Sequence, residues 1–373
     1  MGAFFLIKSL TTIKDNAILL SCLSGGIGRH KGLKIPRSSE HAGSIPASST
    51  IYIMKRLLVI DALNLMFRNY IVNPSLSTNG QPIGGLKGFL QSLQKLIRET
   101  KPDQVVICWD GEGGSQRRKS KNKGYKEGRK PIRLNRDIRN LTENEEVSNK
   151  IWQQTRLVEY LNELPIVQLM LPAVEADDII SVVVQHPSFA GWQKVIVSSD
   201  KDFFQLCDGE TIVFRPIQKQ IVNQKSLVEE HGIHPKNFAL ARAIAGDKSD
   251  NLPGVGGVGL PTISKRFPFL SEDVSYDIDT LMEYSQQHAG KVKAYTNVLE
   301  NRDRVEENYR LMQLYTPSVS VQGRKKINYA LDNFEAEFAK TTVKAMMIED
   351  GFGVVNFVDM YAWMNKIVAD SRT

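Results

Sequence analysis

Beyond residue 54, short apolar runs alternate with stretches of helical period. Residues 55–60 (Lys-Arg-Leu-Leu-Val-Ile) predict a buried strand that ends on Asp61, and residues 61–68 read as a loop entering a helix. Leu86, Phe89, Leu90, Leu93, Leu96 and Ile97 recur at helical spacing and predict a helix over 84–98. Residues 104–109 predict a second strand, ending on Asp110, and residues 194–198 a third, leading to Asp200 and Asp202. Between them Glu175-Ala-Asp-Asp178 opens a helix continued by Ile179, Ile180 and residues 182–184, with Pro172 marking its entrance. Strand and helix in alternation predict an α/β fold: a central, mostly parallel sheet with flanking helices. Ligands of such sheets collect beyond the carboxyl ends of the strands.

Each predicted strand ends on an acid. One acid after a strand is commonly a turn residue or helix cap, but three of three point further. Glu175, Asp177 and Asp178 suit the first turn of a helix through its dipole. A cap needs one or two acids, however, and three crowded together repel unless a cation sits among them. Asp247 and Asp250, three residues apart, are expected to share one face of a short helical turn. The full set is Asp61, Asp110, Glu175, Asp177, Asp178, Asp200, Asp202, Asp247 and Asp250. Hard oxygen donors of this kind suit Mg²⁺, with Mn²⁺ as a substitute. Two such ions about 3.5–4 Å apart would clamp a scissile phosphate.

A glycine-rich turn follows, with Gly254, Gly256, Gly257 and Gly259. Its backbone N–H groups can approach an anion without interference from Cβ atoms. The same residues spell G-x-G-x-x-G, but the preceding Ala-Gly-Asp-Lys-Ser-Asp-Asn-Leu-Pro is polar and not a strand. The dinucleotide fingerprint requires a strand there, so that reading is set aside.

With 42% hydrophobic and 24% charged residues over 373 positions, the chain can bury one large or two moderate cores. No apolar run approaches the roughly 18 residues of a membrane span. Cys22, Cys108 and Cys207 are scattered without metal spacing, which fits a reducing cytoplasm. His231 and His234 have no second pair nearby and read as surface residues rather than zinc ligands. Of the net charge of +7, residues 1–53 carry +4, from six basic and two acidic side chains. This segment lacks a sustained period and resembles neither a signal nor a transit peptide. Residues 32–36 and 42–48 can be encoded by the anticodon and T arms of a leucine tRNA gene. The expectation is a true start at Met54, with 1–53 a non-native or disordered extension, which an intact mass of the native protein would test.

Residues 117–139 hold eleven Lys/Arg (among them Arg117, Arg118, Lys119, Lys121, Lys123, Lys126 and Arg129) against Glu127 and Asp137, a net +9. A charge run is often a solvated tail. This one is internal, between a strand that ends on an acid and the acidic helix, so phosphate neutralisation is the expected role. Tyr125 could stack on a base.

Together these residues resemble the 5′-nuclease superfamily: flap endonucleases, bacteriophage 5′–3′ exonucleases and ribonuclease H, and the 5′-nuclease domain of bacterial DNA polymerase I. The resemblance spans about residues 55–315 and rests on Asp61, Trp109-Asp110-Gly111, Glu175-Ala-Asp-Asp178, Ser199-Asp-Lys-Asp202 and Gly246-Asp-Lys-Ser-Asp-Asn-Leu-Pro-Gly-Val255. It implies a PIN-like nuclease core over 54–225 with a basic helical arch at about 111–150. A helical region over 226–315 would carry the glycine-rich turn as a helix–three-turn–helix that grips duplex DNA with a bound K⁺. Beyond the resemblance, residues 316–373 carry no motif and are expected to form a helical or mixed C-terminal addition whose role the sequence does not assign. By the resemblance Asp61, Asp110, Glu175 and Asp178 favour one metal ion, and Asp177, Asp200, Asp202, Asp247 and Asp250 the second. Tyr125-Lys-Glu-Gly-Arg129 matches the arch base, where Lys126 and Arg129 steady the charge of the scissile phosphate. Pro261 departs from the family's usual lysine before the threonine of the glycine turn, which weakens the expected duplex grip.

The implied activity is Mg²⁺-dependent, structure-specific 5′ cleavage by a stand-alone, monomeric nuclease of a bacterial or phage-infected cytoplasm. Its substrates would be DNA with a 5′ flap, nick or free 5′ end, and RNA–DNA hybrids. A single-strand-binding protein or a polymerase would be its partner. Two alternatives stand beside this reading. A PIN-like ribonuclease would have no use for a turn that serves a DNA duplex, and a non-catalytic DNA-binding protein would favour fewer carboxylates against phosphate.

Overall fold

A computed structural model describes residues 54–128, 132–134 and 141–371; the readings of residues 1–53 and of Arg129 lie outside them. A six-stranded sheet runs in the order β3-β2-β1-β4-β5-β6. Its strands are β1 (Arg56–Asp61), β2 (Gln104–Trp109), β3 (Val167–Met170), β4 (Gln193–Val197), β5 (Thr211–Arg215) and β6 (Gln220–Val222). All pair in parallel except β5 with β6. The uninterrupted apolar runs of β1 and β2 are explained by burial on both faces, with Leu57 to Ile60 and Val105 to Cys108 fully buried. The short strands β3, β5 and β6 carry weaker apolar signals, and the sequence pattern alone did not predict them.

The central strand β1 pairs with β2 on one side and β4 on the other. A parallel sheet whose order reverses there opens a crevice at the carboxyl ends of β1 and β4, where bound groups collect. The helices α1 (Ala62–Val72), α2 (Gly84–Thr100), α3 (Gln116–Lys121), α4 (Glu143–Asn162) and α5 (Ala176–Val184) belong to this half. The basic insertion thus begins on a short helix and returns through α4, which continues past residue 150 into the core, where Gln153 donates to Pro82 O at 2.8 Å.

The second half is helical: α6 (Gln224–His231), α7 (Pro235–Ala245), α8 (Leu260–Arg266), α9 (Ile278–Gln287), α10 (Lys293–Glu300) and α11 (Arg302–Met312). Between α7 and α8 the chain forms a two-stranded pair, β7 (Gly246–Asp247) with β8 (Leu252–Pro253). Asp247 and Asp250 therefore lie on a hairpin turn rather than a helical one. A back-to-back approach at its base explains this: a Cβ on Gly254 would fall 2.1 Å from Ala245 O.

Residues beyond 315 form α12 (Val321–Asp332), α13 (Lys340–Glu349) and α14 (Val358–Asp370), which dock on the core. Trp363 Nε1 donates to Pro102 O at 2.6 Å, and Lys87 Nζ to Phe352 O at 2.8 Å. The Asp350 carboxylate, its side chain 7% exposed, accepts from Arg156 Nε and from the Tyr160 hydroxyl, both at 2.7 Å. Replacing Asp350 with alanine leaves both donors without that acceptor, so Asp350→Ala is expected to cost about 2 kcal/mol in urea-induced unfolding. An unchanged midpoint would show that Arg156 is satisfied by Glu159 and Glu349 alone. Among the described residues no helix is long and apolar enough to cross a membrane.

Candidate active site

The acids gather at the carboxyl edge of the sheet because strand ends and one helix start deliver them there. Asp61 ends β1 and caps α1, accepting from Asn64 N at 3.1 Å. Its second oxygen accepts from Ser198 Oγ at 3.0 Å, across the β1–β4 crevice. Asp110, the exposed member, accepts from Ala176 N at 2.7 Å and so holds the start of α5 against the end of β2. Asp200 follows β4; its N–H donates to Ser198 Oγ, and its Oδ1 accepts from Asp202 N at 2.9 Å.

Glu175 and Asp178 are buried and face cations from the basic insertion. The Arg118 guanidinium reaches both, lying 3.2 Å from Asp178 and hydrogen-bonded to Glu175. Lys126 Nζ donates to the other oxygen of Glu175 at 2.6 Å. Asp178 also accepts from Ser318 N at 2.7 Å, which ties it to the segment leading into α12. On the far side Arg242, buried on α7, bridges Asp202 (3.0 Å) and Asp247. Asp247 accepts further from Ser249 N and Oγ at 2.7 and 2.6 Å.

Electrostatics follow from this crowding. Burial, reinforced by Asp110 and Asp200, pushes the Asp61 carboxyl up to about 7. Burial and then Asp200 do the same to Asp202, also to about 7, against the pull of Arg242. Asp177 rises well above the carboxylate range through burial and repulsion from Asp200, despite Arg118 and Lys126. Asp200 is raised by burial first and then by Asp250 and Asp247. Burial acts on Asp247 too, but Arg242 and Ser249 outweigh it and hold its carboxyl below the usual value.

Among the described residues, no group of three or more carboxylate, histidine or cysteine side chains stands in position to hold a metal ion. The reason is visible in the partners: Arg118, Lys126 and Arg242 take up Glu175, Asp178, Asp202 and Asp247 as ion pairs. Asp177 feels both Asp200 and Asp61, and Arg242 joins Asp202 to Asp247. The donor chemistry nevertheless fits a hard divalent cation, since mutually repelling carboxylates of raised affinity for positive charge converge on one crevice.

Of the predicted nucleic-acid contacts, Lys119, Lys121 and Lys123 are exposed. Arg117 instead donates to Ser318 O at 2.6 Å, and Arg118 turns inward. Tyr125 is 3% exposed, packed with Leu252, Leu311 and Met312, so its ring has no face left for a base. In the glycine turn Gly257 has a φ of +73°, which a side chain would resist. Gly256 has open space where a Cβ would stand, and the N–H groups of Gly256 and Gly257 meet no backbone carbonyl among the described residues. Gly254 is used up by packing on Ala245, and Gly259 precedes α8, whose first turn accepts Pro261 without losing a hydrogen bond. Sequence reasoning missed Arg242, Ser198 and Ser318. A lone arginine within the apolar run of α7, five residues before Asp247, was the available signal for the first.

Residues 56–232 match the family model of the 5′–3′ exonuclease N-terminal, resolvase-like domain. A 5′–3′ exonuclease of Aquifex aeolicus is 27% identical over 280 residues, covering 70% of this chain and 83% of that protein. Over residues 56–232 the chain carries a domain of the 5′-nuclease superfamily. The thermostable DNA polymerase I of Thermus aquaticus is 31% identical over 212 residues, 56% of this chain but 23% of the polymerase. The chain thus spans about a quarter of the length of the polymerases I that it matches. In structure it is similar to the bacteriophage T5 flap endonuclease, with a TM-score of 0.56 at 17% identity, covering 79% of this chain and 98% of that one. That likeness is one of fold, and it extends over most of the chain.

Proposed function

We propose that the chain hydrolyses phosphodiester bonds near the 5′ ends of DNA, as a structure-specific 5′–3′ exonuclease and flap endonuclease of replication or repair. Removal of RNA from RNA–DNA hybrids would be a related activity. The observation that carries this reading is the crowding of carboxylates at the carboxyl edge of the sheet, where burial and mutual repulsion raise Asp61, Asp177, Asp200 and Asp202, beside the exposed Lys119, Lys121 and Lys123. That the T5 flap endonuclease was solved as a product complex with DNA and metal ions supports it. Asp61, Asp110, Glu175, Asp177, Asp178, Asp200, Asp202, Asp247 and Asp250 are the residues that would hold Mg²⁺ or Mn²⁺. When bound, two such ions supply a hydroxide nucleophile near neutral pH and a counter-charge for the leaving oxygen. Lys126 and Arg118 would turn from Glu175 to the phosphate as negative charge develops on it. Residues 54–225, completed by Asp247 and Asp250 of the β7–β8 hairpin, would do the chemistry, and the turn at 254–259, with K⁺ as an expected companion, would hold the duplex.

A 5′-labelled flap substrate, incubated with Mg²⁺ or with EDTA beside single-stranded DNA and an RNA–DNA hybrid, tests the reading. Cleavage near the flap junction with Mg²⁺ alone is expected. Tight binding without cleavage under Mg²⁺ or Mn²⁺ would instead favour the binding-protein alternative. Replacing Lys119, Lys121 and Lys123 together with alanine is expected to flatten the dependence of log Kd on log salt by up to about 2–3, at just under one per phosphate contact. A slope equal to wild type would remove these lysines from the interface.

A further inference from the structure

The base of the basic insertion is fastened to the turn that follows α7. Lys126 N donates to Asp250 O at 2.9 Å, and Asn251 Nδ2 donates back to Gly124 O at 2.9 Å. Beside these two bonds Tyr125 packs on Leu252, Leu311 and Met312, a small cluster separate from the main core. The Tyr125 hydroxyl donates to Glu175 at 3.2 Å, and Lys126 Nζ to the same carboxylate. Both Lys126 (φ +57°) and Asn251 (φ +56°) are left-handed. Asparagine adopts that conformation readily, whereas lysine has no preference for it, so the backbone of Lys126 is set by what it touches. The next residues after Asn251 are β8 and the glycine turn, and Asn308 Nδ2 braces that path by donating to Pro253 O at 3.0 Å.

We propose that Asn251 is a positioning residue: its amide latches the arch base to the glycine-rich turn, so that a duplex seated on Gly256 and Gly257 sets where Lys126 reaches at the carboxylates. This rests on the function proposed above and deepens it. The chain would read the presence of duplex mechanically, through two hydrogen bonds and one buried ring, and convert it into placement of a cation. Phosphate charge alone, on a single strand, would contact the exposed lysines without loading the latch.

Asn251→Gly keeps the left-handed backbone and deletes the amide; Asn251→Asp keeps size and conformation but sets an oxygen against Gly124 O. The test has three readouts, taken below the unfolding temperature of each variant. In EDTA, hydrogen exchange of the peptide spanning residues 122–128 is followed with and without flap duplex. Duplex is expected to slow exchange about tenfold in wild type and not in either variant. With Mg²⁺, single-turnover cleavage is expected to fall about 10- to 100-fold in both variants while duplex Kd stays within about twofold. Combined with Lys126→Met, Asn251→Gly should add nothing to the loss from Lys126→Met alone, because one acts through the other. Equal protection in Asn251→Gly and wild type, multiplied losses in the double variant, or a Kd that weakens in step with the rate would each overturn the latch. Wild-type protein that does not cleave at all would defeat the proposed function, and the exchange measurement would still decide the latch.

Discussion

Asp200→Asn is expected to leave binding of flap DNA intact and to lower its cleavage by about a thousandfold or more, some 4 kcal/mol of barrier. The side chain sits at the end of β4, at the sheet's switch point, where Asp250 and Asp247 repel it and burial raises its carboxyl. An amide of the same shape keeps a carbonyl oxygen for the Asp202 N–H that now donates to it at 2.9 Å. Local geometry therefore survives, while one negative charge is lost. Removing that charge relieves repulsion within the cluster and toward phosphate, so affinity and unfolding temperature should hold or rise as activity falls. The opposite signs distinguish a carboxylate used in chemistry from one used in folding. Cleavage at the wild-type rate, measured in single turnover with saturating protein, would remove Asp200 from the reaction.

Arg242→Met is expected to destabilise the chain by about 3 kcal/mol in EDTA, the loss typical of removing one partner from a buried ion pair. Arg242 is 9% exposed and bridges Asp202 and Asp247, with a further bond from Nη1 to Gly246 O at 3.3 Å. Methionine fills much of the same volume, so the loss reports charge and hydrogen bonding rather than a cavity. Two segments far apart in sequence, the turn after β4 and the β7–β8 hairpin, depend on this one side chain. Urea unfolding measures the effect, and a shift below about 0.5 kcal/mol would mean that the two carboxylates tolerate each other without it.

The parts of the fold legible in sequence were those whose signals are local. The buried runs of β1 and β2 and the period of α2 gave elements within two residues of their observed bounds. The candidate acids stood out because strand ends, the start of α5 and the hairpin before the glycine turn mark them. Their partners were not. Arg118 looked like one more member of a basic run, and nothing local says that it turns inward to Glu175 and Asp178 while Lys119 faces solvent. Tyr125 looked like a stacking residue because aromatic rings among lysines commonly are. Its burial depends on Leu252 and on Leu311 and Met312 of α11, more than a hundred residues away. Docking of α12–α14 was illegible for the same reason: Trp363 meets Pro102 and Asp350 meets Arg156 only after the chain has folded.

That docking fixes the direction of the last helix. Met360 N donates to Gln94 Oε1, and three residues on Trp363 meets Pro102, just ahead of the first residue of β2. α14 therefore runs alongside α2 toward the amino ends of the strands, opposite the edge that carries the acids. A fluorophore or surface tether placed after Asp370 would emerge from the back of the molecule. Immobilised that way, the protein would present its acidic crevice outward, open to DNA arriving from solution.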